Sequence, residues 1–282
     1  MALCVLADGI EGGPVWGEPM ANPTAGMESQ AFAARLRQLS TASDLAWLTA
    51  LLVGISTTLI AAYFQPSEGQ FWVYAGLLMR AGIYLWSKDA QRGRGGETVG
   101  RLFALGIVAG ALELLIDWAL IHWISNGRLV YLTGNDVVLL ASPVWMPLAW
   151  ACVITELGYP ALRLFGILQP RLGTAVAAII STLLIGLGAG LTVGFYEYFA
   201  YRAGWWKYER AHAMIGDFCA LYIPVGEVFM FLPILPIAAR AVSDEDHPLA
   251  AAIVGGLRFA VAMAAGYALA YVLLELGRSP SC

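Results

Sequence analysis

The chain has few charged residues, and among those it has almost no lysine. Only 13% of its 282 residues are charged and 59% are hydrophobic, with a mean hydropathy of +0.69. A soluble domain carries about 25% charged residues, so this composition excludes an ordinary water-soluble enzyme and indicates a membrane protein. The formal net charge of −4 offers no basic surface for nucleic acid.

Cysteine and histidine are too scarce and too scattered for a metal or disulfide framework. The four cysteines form no Cys-x-x-Cys pair, and Cys152 and Cys219 lie in apolar runs, where cysteine acts as a small hydrophobe. The three histidines are widely separated. We therefore predict no metal site. The two lysines, Lys88 and Lys207, fall in predicted loops, which excludes a retinal Schiff base inside the membrane.

Long apolar runs predict an all-α, polytopic membrane bundle of seven transmembrane helices. Residues 1–43 are rich in Gly, Pro and Ala and are predicted to be a disordered or interfacial lead, with a short interfacial helix at 30–40. The transmembrane domain is predicted at 44–277, because about 20 apolar residues cross a bilayer core as a helix. The predicted spans are 44–64, 71–87, 99–124, 135–157, 174–200, 213–239 and 249–275.

Lysine and arginine in the predicted loops set the orientation of these spans. More of them fall on the side of the N-terminus than on the opposite side. Because cytoplasmic loops carry the excess of basic residues, we predict a cytoplasmic N-terminus and an external C-terminus. The predicted location is a bacterial cytoplasmic membrane.

Acidic residues recur inside the predicted spans, where each is unfavourable. A charged side chain at the bilayer centre costs about 2.5–3.5 kcal/mol on insertion scales, so acids there are candidate functional groups. Glu113 and Asp117 are spaced i, i+4 and share one helix face. Glu197, Asp217 and Glu227 are predicted to join them in the middle and outer half of the membrane.

Two arginines in the predicted spans could neutralise part of this group. An Arg80–Glu113 or Arg258–Glu227 pair would tie helices together without catalysis. Glu156 is predicted to be a boundary residue at the opposite face. Five acids against two arginines leave a surplus that has to be protonated, solvated or bound to a cation. Because a desolvated carboxyl keeps its proton to higher pH, each surplus acid is a candidate general acid.

The loop at 201–210 concentrates aromatic and basic side chains. It contains Trp205, Trp206, Lys207 and Tyr208. Such a loop can be an aromatic belt at the membrane interface. It can also be a lid over the acids, with cations that balance the carboxylates and rings that shelter a developing positive charge. Both interpretations stay open.

Three stretches of the chain, in a fixed order, form a pattern of acids, aromatics and prolines. They are 113–118 (ELLIDW) with 126–131 (NGRLVY), then 142–150 (SPVWMPLAW), then Glu197 with 204–208 (GWWKY) and 223–225 (IPV). This pattern resembles an integral-membrane carotenoid biosynthesis family of hydratases and cyclases. The resemblance covers about residues 105–235.

The resemblance implies acid catalysis on an isoprenoid double bond. A carboxylic acid would protonate the alkene, and the carbocation would end in hydration, cyclisation or isomerisation without any cofactor. The implied partners are a lipophilic, isoprenoid-like substrate and membrane lipid. The proton donor would be Glu113 or Glu197, with Asp117, Asp217 and Glu227 as orienting partners. The predicted substrate-binding residues are Trp118, Trp145, Tyr196, Trp205, Trp206 and Tyr208.

Two other functions stay open on the sequence alone. A proton-coupled transporter would use the same acids, although the chain shows no strong internal repeat of the kind found in many transporters. A non-catalytic subunit that holds a quinone or a pigment would be compatible with the 10 Trp and 12 Tyr residues.

Overall fold

The structure, a computed structural model, describes residues 41–64, 66–90, 97–132, 136–243 and 247–276. The predicted N-terminal lead therefore lies outside the described residues as far as residue 40, and with it the helix predicted at 30–40. The described chain begins with a helix at residue 41.

Helices dominate the described chain, and the predicted helical membrane bundle is confirmed. They are α1 (Thr41–Phe64), α2 (Pro66–Ala90), α3 (Glu97–His122), α4 (Met146–Leu172), α5 (Thr174–Arg202), α6 (Tyr222–Phe231), α7 (Ile234–Ser243) and α8 (Pro248–Leu274). Short strands, which the sequence did not predict, join some of them at one end of the bundle. They are β1 (Arg128–Tyr131), β2 (Val138–Leu139), β3 (Ser142–Pro143), β4 (Trp206–Glu209), β5 (Met214–Ile215) and β6 (Cys219–Ala220).

Five of the described helices are long and apolar enough to cross a membrane, namely α1, α3, α4, α5 and α8. The pair α6 and α7, bent by 44°, makes a sixth if it counts as one broken span. Helix α2 has 25 residues but is less apolar and carries Arg80. The number of seven predicted spans is therefore approximate, while the class of integral membrane protein stands.

Two predicted spans begin too early. The span predicted at 135–157 is the helix α4, which starts at Met146 and extends to Leu172. Pro147 lies in its first turn, where a missing backbone N–H leaves no hydrogen bond unmade. The span predicted at 213–239 contains the β5–β6 hairpin and only then α6 and α7, with a break at residues 232–233.

Strands β1 and β4 form an antiparallel pair, which we call the ribbon. Leu129 lies opposite Tyr208, and Tyr131 lies opposite Trp206. Because side chains alternate along a strand, these four residues share one face of the ribbon. The alternate positions, with Arg128 paired to Glu209, occupy the other face.

Two glycines let α3 pack closely against α4. A Cβ atom on Gly106 would lie 2.6 Å from the backbone of α4, and one on Gly110 would lie 2.5 Å from it. Small residues at such spacing allow membrane helices to approach each other. Glu113 and Asp117 continue the same helix face by one and two further turns. The close contact thus directs both carboxyl groups towards the start of α4.

The outward surface of the bundle is apolar. On α5, Leu191 and Phe195 are exposed, as is Val261 on α8. Exposed apolar side chains in such number mark a surface that meets lipid rather than water. Polar function is therefore to be sought in the interior.

Candidate functional site

An elongated cavity of about 290 Å³ runs through the bundle beneath the ribbon. Its wall on α4 extends from Met146 to Pro160, which is about 21 Å along the helix axis. Its wall on α5 extends from Ile185 to Glu197, or about 18 Å. A cavity so long for its volume is a narrow slot, and its shape suits an extended chain.

Four carboxyl groups line the part of this cavity next to the ribbon. Glu113 and Asp117 come from α3, Glu197 from α5 and Glu227 from α6. All four residues are buried, with at most 4% of their surface exposed. Within the described ranges, no ion pair includes any of them. We call these four residues the acid cluster.

Asp117 is held by two neutral hydroxyl groups. The Tyr131 hydroxyl and the Ser142 Oγ both donate to its Oδ2, the latter at 2.8 Å. Burial and the nearby Asp117 carboxylate raise the pKa of Tyr131 well above its ordinary value, so the phenol keeps the proton that it donates. Asp117 is thus fixed as a hydrogen-bond acceptor.

Glu113 is in the opposite situation. Its Oε2 atom is buried and has no hydrogen-bond partner among the described residues. A buried polar atom without a partner is rare in proteins and calls for an explanation, such as a ligand or a catalytic role. Asp117 lies one turn away, and its carboxyl group interacts with that of Glu113. Asp117 Oδ2 accepts two hydrogen bonds, whereas Glu113, which also interacts with Trp150, keeps Oε2 without a partner among the described residues.

The other two acids accept hydrogen bonds from aromatic side chains. The Trp206 Nε1 atom donates to Glu197 Oε2 at 2.7 Å. The Tyr267 hydroxyl donates to Glu227 Oε1 at 2.9 Å. Neutral donors of this kind orient a carboxyl group without neutralising its charge.

Aromatic rings form much of the cavity wall near the acid cluster. Trp145, Tyr196 and Trp206 all line it, with the Trp206 ring centre 6.4 Å from that of Trp145 and 6.2 Å from that of Tyr196. The Trp145 Nε1 atom donates to Asp136 Oδ2 at 2.7 Å, which fixes its ring. Tyr208 completes this wall from the ribbon.

Three of the predicted site residues lie away from the cavity wall. Asp217 is exposed in the turn between β5 and β6, because the chain there forms a hairpin and not a helix. Trp118 stacks on His122 at 5.1 Å and does not line the cavity. Trp205 is buried behind the wall, 6.3 Å from Trp145 between ring centres. The remaining predicted site residues, Glu113, Asp117, Trp145, Tyr196, Glu197, Trp206, Tyr208 and Glu227, all line the cavity.

The basic residues near the ribbon do not balance the acid cluster. Lys207 and Arg128 contact the two carboxylate oxygens of Glu209, at 2.9 and 3.3 Å, on the opposite face of the ribbon. Arg258 is exposed on α8. The suggested Arg258–Glu227 pair does not form, and Glu227 is bonded to Tyr267 instead.

Arg80 pairs with Glu156 and not with Glu113. Its Nη1 atom lies 3.0 Å from Glu156 Oε1, which also accepts from the Tyr84 hydroxyl at 3.0 Å. Both Arg80 and Glu156 line the cavity. The prediction of Glu156 as a boundary residue is wrong, because α4 begins at Met146 and Glu156 lies well inside it. Pro147, as a helix-start signal, could have revealed this from the sequence.

The hydrogen-bond donors that hold the acids were not predicted from the sequence. Tyr131 belongs to a short apolar stretch with alternating faces, which is a weak signal of a strand. Ser142 and Tyr267 carry no sequence signal of their own, since they reach Asp117 and Glu227 only through the fold.

A second, more open cavity of about 450 Å³ lies on the outer side of the ribbon. It shares Leu129 and Tyr131 with the first cavity and also includes Arg128 and Asp136. We call it the vestibule. Tyr131 therefore lines both the vestibule and the inner cavity, and its hydroxyl group contacts Asp117.

The described side chains offer no metal centre. No group of three or more His, Cys, Asp or Glu residues within the described ranges could hold a metal ion. Carboxyl groups, hydroxyl groups and aromatic rings are the functional groups that the described cavity wall presents.

Comparisons with known proteins relate the chain to a protein family. No curated protein and no solved structure matches the chain. Residues 114–274, more than half of the chain, match a family described as Domain of unknown function (DUF6989). The matched region contains Asp117, Glu197 and Glu227, whereas Glu113 and Arg80 precede it. The chain belongs to the DUF6989 family, for which that description states no function.

Proposed function

We propose that the protein is an integral-membrane enzyme that protonates a double bond of an isoprenoid or terpenoid substrate. The outcome is cyclisation, hydration or isomerisation of that hydrophobic substrate. One observation carries the proposal: the buried Glu113 Oε2 atom, without a partner among the described residues, beside a narrow apolar slot with aromatic walls. A resemblance to membrane carotenoid hydratases and cyclases suggests the same substrate class.

Glu113 is the proposed proton donor. Two carboxyl groups one helical turn apart and without a cation are more stable when they share one proton. Asp117, which already accepts two hydrogen bonds, suits the ionised member of this pair. Glu113 Oε2 has no such donor among the described residues, so Glu113 suits the protonated member and can give its proton to an alkene.

The rest of the wall suits the carbocation that follows. Faces of Trp and Tyr rings attract a cation through their electron-rich surfaces, and this attraction grows when water is excluded. Trp145, Tyr196 and Trp206 provide such faces next to the acid cluster. In cyclisation or isomerisation the cation returns one proton to a carboxylate. In hydration it takes the oxygen of water, which releases one proton.

A deuterium experiment tests the protonation step directly. Candidate substrates are first sought by mass spectrometry of lipids from cells with and without the protein, and from the purified protein. The purified protein in lipid nanodiscs is then incubated with these isoprenoids in D2O. We expect each converted molecule to carry one deuterium on carbon, because the acid exchanges its proton with solvent before each turnover.

The same experiment separates the enzyme from its alternatives. Products without deuterium on carbon would exclude alkene protonation. An unchanged lipid extract, together with proton-dependent solute flux into proteoliposomes, would identify a transporter instead. A pigment or quinone that purifies with the protein and is not converted would indicate a binding subunit.

The hydroxyl group of Tyr131 is expected to support the return of protons to the pair. Tyr131→Phe keeps the ring but removes the hydrogen bond to Asp117 and the hydroxyl that this residue places between vestibule and cavity. Loss of a hydrogen bond to a charged group costs about 1.5–3 kcal/mol. We therefore expect turnover of the identified isoprenoid to fall by about tenfold to a hundredfold.

Tyr63→Phe is the matched control for this variant. Tyr63 lies on α1 and is 72% exposed, so the same change there removes no interior contact. Turnover is measured for both variants at equal protein concentration. Full activity of Tyr131→Phe would show that Asp117 receives its protons by another route.

A further inference from the structure

A second polar group lies in the wall of the same cavity, away from the acid cluster. It is the pair of Arg80 and Glu156, whose side chains are 7% and 12% exposed. Counted along α4, Glu156 follows Pro147 by nine positions, or about 14 Å. Pro147 packs against Gly110 on α3, and Glu113 lies one further turn along α3, away from Glu156. The pair is therefore at least about 14 Å deeper in the slot than Glu113, measured along the helix axes.

This pair has unused hydrogen-bonding capacity on both sides. Arg80 donates through Nε to the Gly76 carbonyl at 3.3 Å and through Nη1 to Glu156 at 3.0 Å. Glu156 uses only Oε1, which accepts from Arg80 and from Tyr84. Among the described residues, no hydrogen bond uses Arg80 Nη2 or Glu156 Oε2, and the two side chains are 7% and 12% exposed.

Gly54 leaves room for the guanidinium group of Arg80. A Cβ atom on Gly54 of α1 would lie 2.9 Å from Arg80 Nη1. The group thus lies flat against a position where any side chain would displace it. With the N–H donors of Nη2 and the free carboxylate oxygen beside it, the pair presents donors and an acceptor at the cavity wall.

A hydroxyl group is the ligand chemistry that satisfies both atoms together. Its oxygen accepts from Arg80 and its hydrogen is donated to Glu156. An ether or a carbonyl can only accept and leaves Glu156 Oε2 unpaired. A diphosphate brings negative charge against the Glu156 carboxylate, and a hydrocarbon satisfies neither atom.

We propose that the Arg80–Glu156 pair binds a neutral hydroxyl group of the substrate, so that the substrate class is an isoprenoid alcohol. The hydroxyl lies about 14 Å along the slot from the carbon that Glu113 protonates. The apolar chain between them fills the narrow part of the cavity along Val153 on α4 and Ala189 and Val193 on α5. This inference rests on the proposed function, which it deepens by defining the substrate.

The pair also ties α2 to α4, and this structural role is the alternative to binding. If the pair is purely structural, ligands with the same hydrocarbon chain and different end groups should bind equally well. Buried pairs joined for stability alone also tend to use all their hydrogen-bonding atoms. Here one atom on each side is left over among the described contacts, and both belong to residues of the cavity wall.

A ligand series on the unmodified protein tests the proposal. Tritium-labelled farnesol is bound to the protein in nanodiscs and displaced by farnesol, farnesyl methyl ether, farnesene and farnesyl diphosphate. We expect farnesol to bind at least tenfold more tightly than each of the others, because each of them leaves a buried polar atom unpaired or opposes a charge. Equal affinities, or no binding of farnesol, would overturn the proposal.

Two variants locate the effect at the pair. Glu156→Gln removes the negative charge, and we expect the preference for farnesol over farnesyl diphosphate to fall at least tenfold. Gly54→Ala displaces the guanidinium group, and we expect it to weaken farnesol binding while farnesene binding is unchanged. Glu97→Gln, which alters a partly exposed pair with Arg101, is the control and keeps the wild-type series. An unchanged preference in both site variants would contradict the assignment.

The failure of this proposal and that of the proposed function give different results. Farnesol preference is a binding property and does not need turnover, so it persists in Glu113→Gln. If farnesol is preferred but no product carries deuterium on carbon, the hydroxyl site is supported and the proposed enzymatic activity is rejected. If isoprenoids give deuterated products but the alcohol and the hydrocarbon bind with equal affinity, the enzymatic activity is supported and the hydroxyl site is rejected.

Discussion

Glu113→Gln is expected to abolish conversion of the isoprenoid substrate, with a fall in turnover of about 10²–10⁴-fold. Glutamine has nearly the same shape as glutamic acid, but it has no acidic proton to give. Since Glu113 Oε2 has no hydrogen-bond partner among the described residues, the variant loses no protein hydrogen bond there. Its thermal unfolding midpoint should therefore equal or exceed that of the wild type.

Glu97→Gln is the matched control because it makes the same change on the same helix. Glu97 lies in the first turn of α3, its side chain is 36% exposed, and it pairs with Arg101 at 3.3 Å. A pair at this exposure contributes little to stability, so we expect turnover and midpoint close to wild type. If Glu113→Gln retained turnover at the level of this control, Glu113 would not be the proton donor. Glu197→Gln would then be the next variant to assay.

The helical class and most of the site could be predicted from the sequence because both depend on local properties. Apolar runs of membrane length are visible in the chain itself, and an acid inside such a run stands out. Glu113 and Asp117 are four positions apart, so any helix that contains both places them on one face. The aromatic content of 204–208 indicated either an interfacial belt or a lid over the acids, and Trp206 and Tyr208 of the ribbon line the cavity.

The errors arose where one position depends on distant parts of the chain. Residues 135–145 are apolar enough to extend a helix, yet they contain the β2–β3 hairpin, so the true span starts later and Glu156 moves into the interior. Asp217 was placed in a span for the same reason and is instead in an exposed turn. Apolar composition alone does not separate a membrane helix from a hairpin beside it.

The pairing of charges could not be predicted either. Arg80 and Glu156 are 76 positions apart, and Tyr267 reaches Glu227 across 40. Counting acids against arginines correctly indicated a surplus, and the acid cluster indeed has no cationic partner within the described ranges. Helix packing decides which acid is paired with an arginine. Here the close contact of α3 with α4 keeps Glu113 near the start of α4 and leaves Glu156 to Arg80.

That contact makes Gly106 a position where a single added methyl group should lower the stability of the bundle. In Gly106→Ala the new Cβ would lie 2.6 Å from a backbone atom of α4, which no side-chain rotation can relieve. Forcing extra volume into a packed interface costs about 1–3 kcal/mol. We expect a lower thermal unfolding midpoint, and also weaker turnover, because Glu113 lies two turns further along the same face and moves with α3.

Gly82→Ala is the control that separates packing from helix propensity. Gly82 is also inside a helix, but it is exposed and a Cβ atom there meets nothing within 4 Å. Alanine favours a helix over glycine by roughly 1 kcal/mol, so this variant should be as stable as the wild type or more so. A midpoint for Gly106→Ala that matched Gly82→Ala would mean that α3 and α4 do not touch at Gly106. The acid cluster would then lack the packing that we propose orients Glu113 towards its substrate.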